Sequence, residues 1–328
     1  MQRVIMKSPA KLNLFLELHR RREDGFHELE TVMVAIDRCD QLSITRRDDS
    51  ELNVTAQWSP SQAAWEQQLP GMPAGSLDLP QGEGNLVYQA VQRFRQRCQI
   101  KHGFDIHIEK TIPAGAGMGG ASSNAACSLR GVAKLSQIPL SDARIRQTAA
   151  EIGSDVPFFL GPTTDQDAKP EGSDASNPLT KGSAALATGR GEQLAEVALA
   201  APISFVVCFP PHPLSTAAVY SICQVPVNPC SAEELLSTMA KGPLEKLSSL
   251  LFNRLGKPAS TICPPMADLL ESMRSIGLNG CQLTGSGSAC FGIAESLADA
   301  NRIATELSKA GYPVSFAASP LPLPTPLQ

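Results

Sequence analysis

The residue types best suited to chemistry lie in a run of small side chains, PAGAGMGGASSNAA, from Pro113 to Ala126. Gly115, Gly117 and Gly120 satisfy G-x-G-x-x-G, the fingerprint that holds a pyrophosphate in a dinucleotide-binding βαβ unit. That unit also needs an acid about 20 residues further on, at the end of a second parallel strand. Position 142 is instead an Asp in the first turn of an expected helix, and the strands before the glycines read as antiparallel. G-x-x-x-x-G-K-[ST] is absent, which excludes the Walker type of phosphate loop. What the run offers is a line of backbone N–H groups that no side chain shields, leading into the positive end of a helix, and together these hold a polyphosphate. Ser122 and Ser123 add hydroxyls where phosphate oxygens or a magnesium ion would lie. The alternative is a tight turn that only packs a helix. A second run, Gly285, Ser286, Gly287 and Ser288 after Thr284, lies between two short apolar segments. It reads either as a hairpin turn or as a surface that something approaches closely.

The elements that would carry these loops follow from periodicity. Leu12, Leu14, Leu16 and Leu18 alternate, which predicts a strand with Lys11, Asn13, Phe15 and Glu17 on its other face. REDGFHE supplies an Asp-Gly turn, after which LETVMVAI, QLSIT and ELNVT read as successive strands of an antiparallel sheet. Residues 57–83 show no period and read as a loop. Asn85 caps the helix NLVYQAVQRFRQRC, FDIHIEK is a strand, and Ala126, Leu129, Val132 and Ala133 share one face of the helix after the glycines. A further helix is expected from a cap at Ser141 to about Gly153, with DVPFFL as a turn into a strand. Residues 161–183 are Pro, Gly, Ser and Asp with little to bury, the composition of a flexible surface insertion. The domain boundary is placed there, giving domains 1–163 and 164–328. The second half reads strand, helices, strand, glycine turn, strand, helix, strand, a split βαβ with extra helices, before a tail at 319–328 expected to be disordered.

Composition narrows the class. The 328 residues suffice for two domains, and 28 Lys plus Arg against 32 Asp plus Glu leave a charge of −4, unlike the basic balance of a nucleic-acid binder. Nine cysteines include no Cys-x-x-Cys pair, and five histidines none in His-Glu-x-x-His spacing, so neither a disulfide scaffold nor a zinc site is supported. Cys281 and Cys290 alternate with apolar residues and read as core. No apolar run approaches the roughly eighteen residues of a membrane span, and the N-terminus lacks a signal-peptide pattern, so a cytoplasmic protein is expected.

SPAKLNLFL, PAGAGMGGASSNAA and LTGSGSACFG resemble, in order and spacing, the three motifs of the GHMP kinases, the superfamily of galactokinase, homoserine kinase and mevalonate kinase. PAKLNLFL with DGFHELETV, GSDVPFF and ATGRGE is similar, more narrowly, to the branch that phosphorylates the 2-hydroxyl of 4-diphosphocytidyl-2-C-methyl-D-erythritol in the non-mevalonate isoprenoid route. The resemblance runs from about Ser8 to about Ala318; the stretches after Gln57 and after Gly161 fall outside it.

It implies an α+β fold of two domains, with a mixed or antiparallel N-terminal sheet, a ferredoxin-like C-terminal domain and the active site in the cleft between them. It implies ATP and Mg2+ as cofactors, with the catalytic Asp on Asp155 and the catalytic Lys on Lys11. A carboxylate that takes the hydroxyl proton, with an ammonium balancing charge, suits phosphoryl transfer to an alcohol. ATP falls on Lys110 and on Pro113, Ala114, Gly115, Ala116, Gly117, Met118, Gly119, Gly120, Ala121, Ser122 and Ser123. The phosphoryl acceptor falls on Asn13, Phe26, His27, Thr216, Tyr220, Gly285, Ser286 and Gly287, with Phe26 and His27 reading a cytosine and Tyr220 standing where the family more often has Phe. Small molecules are the expected partners, with no nucleic acid or membrane, and the chain is expected to be a monomer or weak homodimer. Three rival readings are a homoserine or mevalonate type of GHMP kinase, a nicotinamide-binding oxidoreductase, and a non-catalytic nucleotide binder. The last would keep the glycines but have no need of Lys11 or Asp155.

Overall fold

The computed structural model describes residues 2–23, 25–161 and 183–321. Most of the expected insertion and of the expected disordered tail lies outside the described residues. The first half runs β1 (Arg3–Arg21), β2 (His27–Arg46), β3 (Leu52–Trp58), α1 (Gln62–Gln68), α2 (Leu86–Cys98), β4 (Phe104–Lys110), α3 (Gly120–Leu135), α4 (Ala143–Ile152) and α5 (Val156–Leu160). Then follow β5 (Ala184–Thr188), β6 (Gln193–Val197), β7 (Ser204–Cys208), α6 (Thr216–Ile222), α7 (Glu233–Lys241), α8 (Leu244–Leu250) and β8 (Phe252–Asn253). The chain closes with α9 (Gly256–Ile262), α10 (Pro265–Ser275), β9 (Asn279–Leu283), β10 (Cys290–Ala294), α11 (Leu297–Lys309) and β11 (Ser315–Ala318).

β1 and β2 form a long antiparallel pair at the centre of the first sheet, whose order is β3-β4-β2-β1-β8, with β5 and β6 added along β2. β3 pairs parallel with β4, so the sheet is mixed, and LETVMVAI and QLSIT are one continuous strand. The second sheet, β11-β7-β10-β9, is antiparallel throughout, the order of the expected split βαβ. β5 and β6 follow residue 164 yet belong to the first sheet, and β7 is the first strand of the second.

Three apolar clusters hold the molecule. One lies between the first sheet and α2 to α5, and another joins the second sheet to α10 and α11. The third joins the sheets, with Leu12, Leu14, Val32 and Val34 packed with Phe205, Val207, Phe209 and Phe291. A bulge between Asn13 and Phe15 breaks the alternation of β1. Such a slip moves every later side chain to the other face. Phe15 therefore packs with Leu12 and Leu14, whereas Leu16 and Leu18 join the cluster of the second sheet.

Three expectations of local structure are corrected. Residues 57–83 are not wholly loop: Ser61 caps α1, the rings of Trp58 and Trp65 lie 5.0 Å apart, and Trp58 Nε1 donates to the Leu77 carbonyl at 2.7 Å. Two turns of helix are too short to register as a period among Gln and Pro. The cap of α4 is Asp142, which accepts from Arg144 N, rather than Ser141. DVPFFL is the helix α5 rather than a strand, with Val156 to Leu160 all buried. A short apolar run has no period to distinguish the two, while Pro157 suits a first helical turn. Among the described residues no helix is long and apolar enough to cross a membrane.

Candidate active site

β1 carries Lys11 and Asn13 to the junction of the two sheets, where both are buried. The Lys11 ammonium donates to Asn13 Oδ1 and, at 2.5 Å, to the Gly117 carbonyl, while Lys11 N donates to Met118 O at 3.0 Å. Strand and glycine loop are thus laced together. Asp155 Oδ2 stands 3.9 Å from the ammonium on a side chain 38% exposed, so the carboxylate faces the cleft while the lysine does not reach solvent. Burial lowers the Lys11 pKa below the ordinary lysine value, and the Asp155 charge partly opposes this.

Gly115, Gly117 and Gly119 have φ of 68°, 73° and 70°, the left-handed region that side-chain-bearing residues rarely adopt. Left-handed residues at alternate positions are a backbone pattern that can turn successive N–H groups toward one side. A Cβ on Gly117 would lie 2.2 Å from the Thr284 carbonyl, so the two small-residue runs touch and the second is more than a hairpin turn. The helix α3 has Gly119 at its N-cap and so no side-chain cap, which leaves its first N–H groups without an acceptor of their own.

Around the loops, Thr284 Oγ1 donates to Asn13 Oδ1 at 3.1 Å and accepts from Asn13 N at 3.0 Å. Asn13 Nδ2 donates to Thr31 Oγ1 at 2.8 Å, so most of this amide is spent on holding Lys11 and the second loop. Asn253 Nδ2 donates to the carbonyls of Leu283 and Gly285 at 3.0 and 2.9 Å. Below the first loop Lys110 is buried against Asp40. Asp40 also accepts from Thr111 N at 2.7 Å, Ile112 N at 2.9 Å and Asn124 Nδ2 at 3.0 Å.

At the other end Phe26 is half exposed, and the His27 ring lies 5.5 Å from that of Tyr220. Thr216 Oγ1 and Ser286 Oγ lie 2.8 Å apart. Partial burial and the nearby Arg21 charge lower the His27 pKa. Burial, reinforced by the Asp155 charge, raises that of Tyr220.

These groups line one continuous cleft of about 1390 Å³. It brings together Lys11, Asn13, Phe26, His27, Lys110, Pro113 to Ser122, Asp155, Thr216, Tyr220, Gly285 and Ser286. Two expected residues lie off it. Ser123 is fully buried and its Oγ accepts from Ser8 Oγ at 2.7 Å, because it faces the sheet one position along the helix from Ser122. A Cβ on Gly287 would meet Leu214, Leu283 and Met266, so that residue faces the second-sheet core. The sequence reading missed Asp40, although an acid in phase with the inward Leu42 and Ile44 was a signal for it. It also missed Arg190, and Asp78, Leu79 and Pro80 from the stretch read as loop, all lining the cleft. Among the described residues no three His, Cys, Asp or Glu side chains gather as a metal site.

The family pattern "GHMP kinases N terminal domain" matches residues 85–161, and "GHMP kinases C terminal" matches 233–313. The chain belongs to the GHMP kinases. A 4-diphosphocytidyl-2-C-methyl-D-erythritol kinase of Rhodopirellula baltica is 41% identical over 313 residues, 93% of this chain and 91% of the relative. That of Bacillus subtilis is 29% identical, with 92% and 91% covered. A crystal structure of 4-(cytidine 5'-diphospho)-2C-methyl-D-erythritol kinase superposes with a TM-score of 0.70 at 29% identity over 96% of this chain and 98% of that one. A homoserine kinase from Cytophaga hutchinsonii, at 17% identity and a TM-score of 0.63 over 100% and 98%, shares the fold. Within the GHMP kinases this chain falls in the 4-diphosphocytidyl-2-C-methyl-D-erythritol kinase family.

Proposed function

We propose that the cleft transfers the γ-phosphoryl group of ATP to the 2-hydroxyl of 4-diphosphocytidyl-2-C-methyl-D-erythritol, giving the 2-phosphate and ADP in the non-mevalonate isoprenoid route. The carrying observation is the Lys11–Asp155 pair, 3.9 Å apart, beside a glycine loop that opens onto an uncapped helix N-terminus. The loop N–H groups and α3 bind the phosphates. Asp155 faces the cleft and accepts the hydroxyl proton as the oxygen attacks in line. Lys11, held by Asn13 and Gly117, supplies positive charge where the transferred group passes. Phe26, His27 and Tyr220 stack on and hydrogen-bond the cytosine.

Magnesium takes few protein ligands and keeps waters and substrate phosphates around it. Ser122 would hold it at the first turn of α3, where it would neutralise phosphate charge. The division into domains at 163/164 stands as a proposal beside the return of β5 and β6 to the first sheet. So do a cytoplasmic location and a monomer or weak homodimer.

Purified protein is incubated with ATP, magnesium and a panel of alcohols: the cytidine diphosphate-linked erythritol, the same alcohol without its nucleotide, mevalonate and homoserine. Phosphate transfer to the first alone is the expected result. Transfer to mevalonate or homoserine at a comparable rate would refute the reading.

A further inference from the structure

Arg190 sits in the turn between β5 and β6, at the wall of the cleft. The turn is firmly held. Leu29 N donates to Gly189 O at 2.8 Å, Gly191 N to Thr188 O at 3.1 Å, and Arg190 N to Glu192 Oε2 at 2.7 Å. A Cβ on Gly191 would lie 3.5 Å from Ser154, so the turn packs beside Asp155. On its other side the Arg190 guanidinium covers the Phe26 ring, 5.2 Å from its centroid.

Arg190 therefore stands between the aromatic corner of the cleft and the carboxylate at its reacting end. Its guanidinium makes no ion pair among the described residues, although the side chain is half-buried. One face is spent on the ring, and the edge of the guanidinium makes no side-chain hydrogen bond among the described residues. Arg21 adds a second positive charge near His27 on the same wall. An ordered, partly desolvated guanidinium with free donors is a receptor for a phosphate-type anion.

We propose that Arg190 binds the diphosphate that joins the cytidine to the alcohol, so that the cleft reads base and diphosphate separately. The assignment rests on the substrate proposed above. That substrate places a diphosphate between a base at Phe26, His27 and Tyr220 and a hydroxyl at Asp155.

Inhibition constants of cytidine and of cytidine diphosphate against the kinase reaction are measured for the wild type, Arg190→Gln and Arg190→Lys, together with the KM of ATP. In the wild type, cytidine diphosphate should bind more tightly than cytidine. Arg190→Gln should shrink that ratio about 10- to 100-fold, the loss of charge-assisted hydrogen bonds, with cytidine and ATP within about twofold of wild type. Arg190→Lys keeps the charge without the fork and should recover part of the ratio. An unchanged ratio in Arg190→Gln overturns the assignment. So does an equal loss of cytidine binding, which would make Arg190 only a support for Phe26. A wild type that does not phosphorylate the cytidine-linked alcohol overturns the substrate reading itself, and the assignment with it.

Discussion

Two buried lysines flank the glycine loop, and their partners differ. Lys110 meets Asp40, a carboxylate with no exposed surface that also accepts three N–H groups, so charge and hydrogen bonding are both answered within the fold. Lys11 meets neutral oxygens of Asn13 and Gly117, and its nearest carboxylate is 3.9 Å away and partly open to solvent. The first arrangement fastens the end of β4 to β2 and to α3 beneath the loop. The second keeps an incompletely compensated ammonium beside an accessible carboxylate, the condition a reaction that moves negative charge can use. The closed pair at Lys110 fastens the fold, and the open one at Lys11 is where the proposed chemistry would act.

The contrast is broken most directly at Asp155. Asp155→Asn should lower kcat by about a hundredfold or more, the usual worth of a positioned proton acceptor, with ATP affinity measured by titration nearly unchanged. Parallel loss of ATP binding would reassign the residue to the phosphates or their metal. Lys11→Met should cost about 10²- to 10³-fold in kcat. Its melting temperature should move little, because relief of a buried charge offsets two lost hydrogen bonds.

A pH series sharpens the same point. The role proposed for Lys11 needs its ammonium, whose pKa lies below the ordinary lysine value of about 10.4, so kcat should fall below that pH as the pH rises. Over the same interval the unfolded chain still binds a proton that the folded chain has released. The contribution of Lys11 to stability should therefore rise with pH while activity falls, and calorimetry at matched pH reads the opposite sign.

Lys110→Met should act on stability before chemistry. It strands the Asp40 carboxylate, a change that typically costs about 3 to 5 kcal/mol in denaturant titrations, with Asp40→Asn in the same chain restoring part of it. A stable Lys110→Met protein that had lost only ATP affinity would erase the distinction between the two lysines. The smallest effect is expected furthest from both. His27→Ala should raise the KM of the cytidine-bearing substrate about 5-fold to 150-fold by removing a partly buried hydrogen bond, leaving the KM of ATP as it was. A fall confined to kcat would place His27 with the reacting groups instead.

Much of this was legible in the chain because it is written in local chemistry. Three glycines need left-handed backbone, Asn85 caps α2 through an acceptor that meets Val87 N, and the apolar period of α11 holds Ala300, Ile303, Ala304 and Leu307 inside. Local reading failed where distant contacts outweighed pattern. The five apolar residues of α5 have no period of their own, and α1 is held by Trp58 and Trp65 rather than by its propensity. The bulge in β1 leaves no mark in an unbroken alternation of leucines, yet it brings Leu16 to the wall that carries Lys11 and Asn13.

The sequence by itself determined the two glycine loops, the longer strands and helices beside them, and the residue types that phosphoryl transfer requires, since each depends on neighbours within about one turn or one strand. Only the tertiary structure decided which of those residues face the same space. Ser122 lines the cleft and Ser123 does not, since successive residues of a helix point in different directions and the sheet lies on one side. Asp40 closes on Lys110 across 70 residues, and Lys11 reaches Gly117 across 106, pairings that no local rule encodes. Whether a buried lysine is a fastener or a reactive charge depends on what lies opposite it, and that is settled when the two sheets pack.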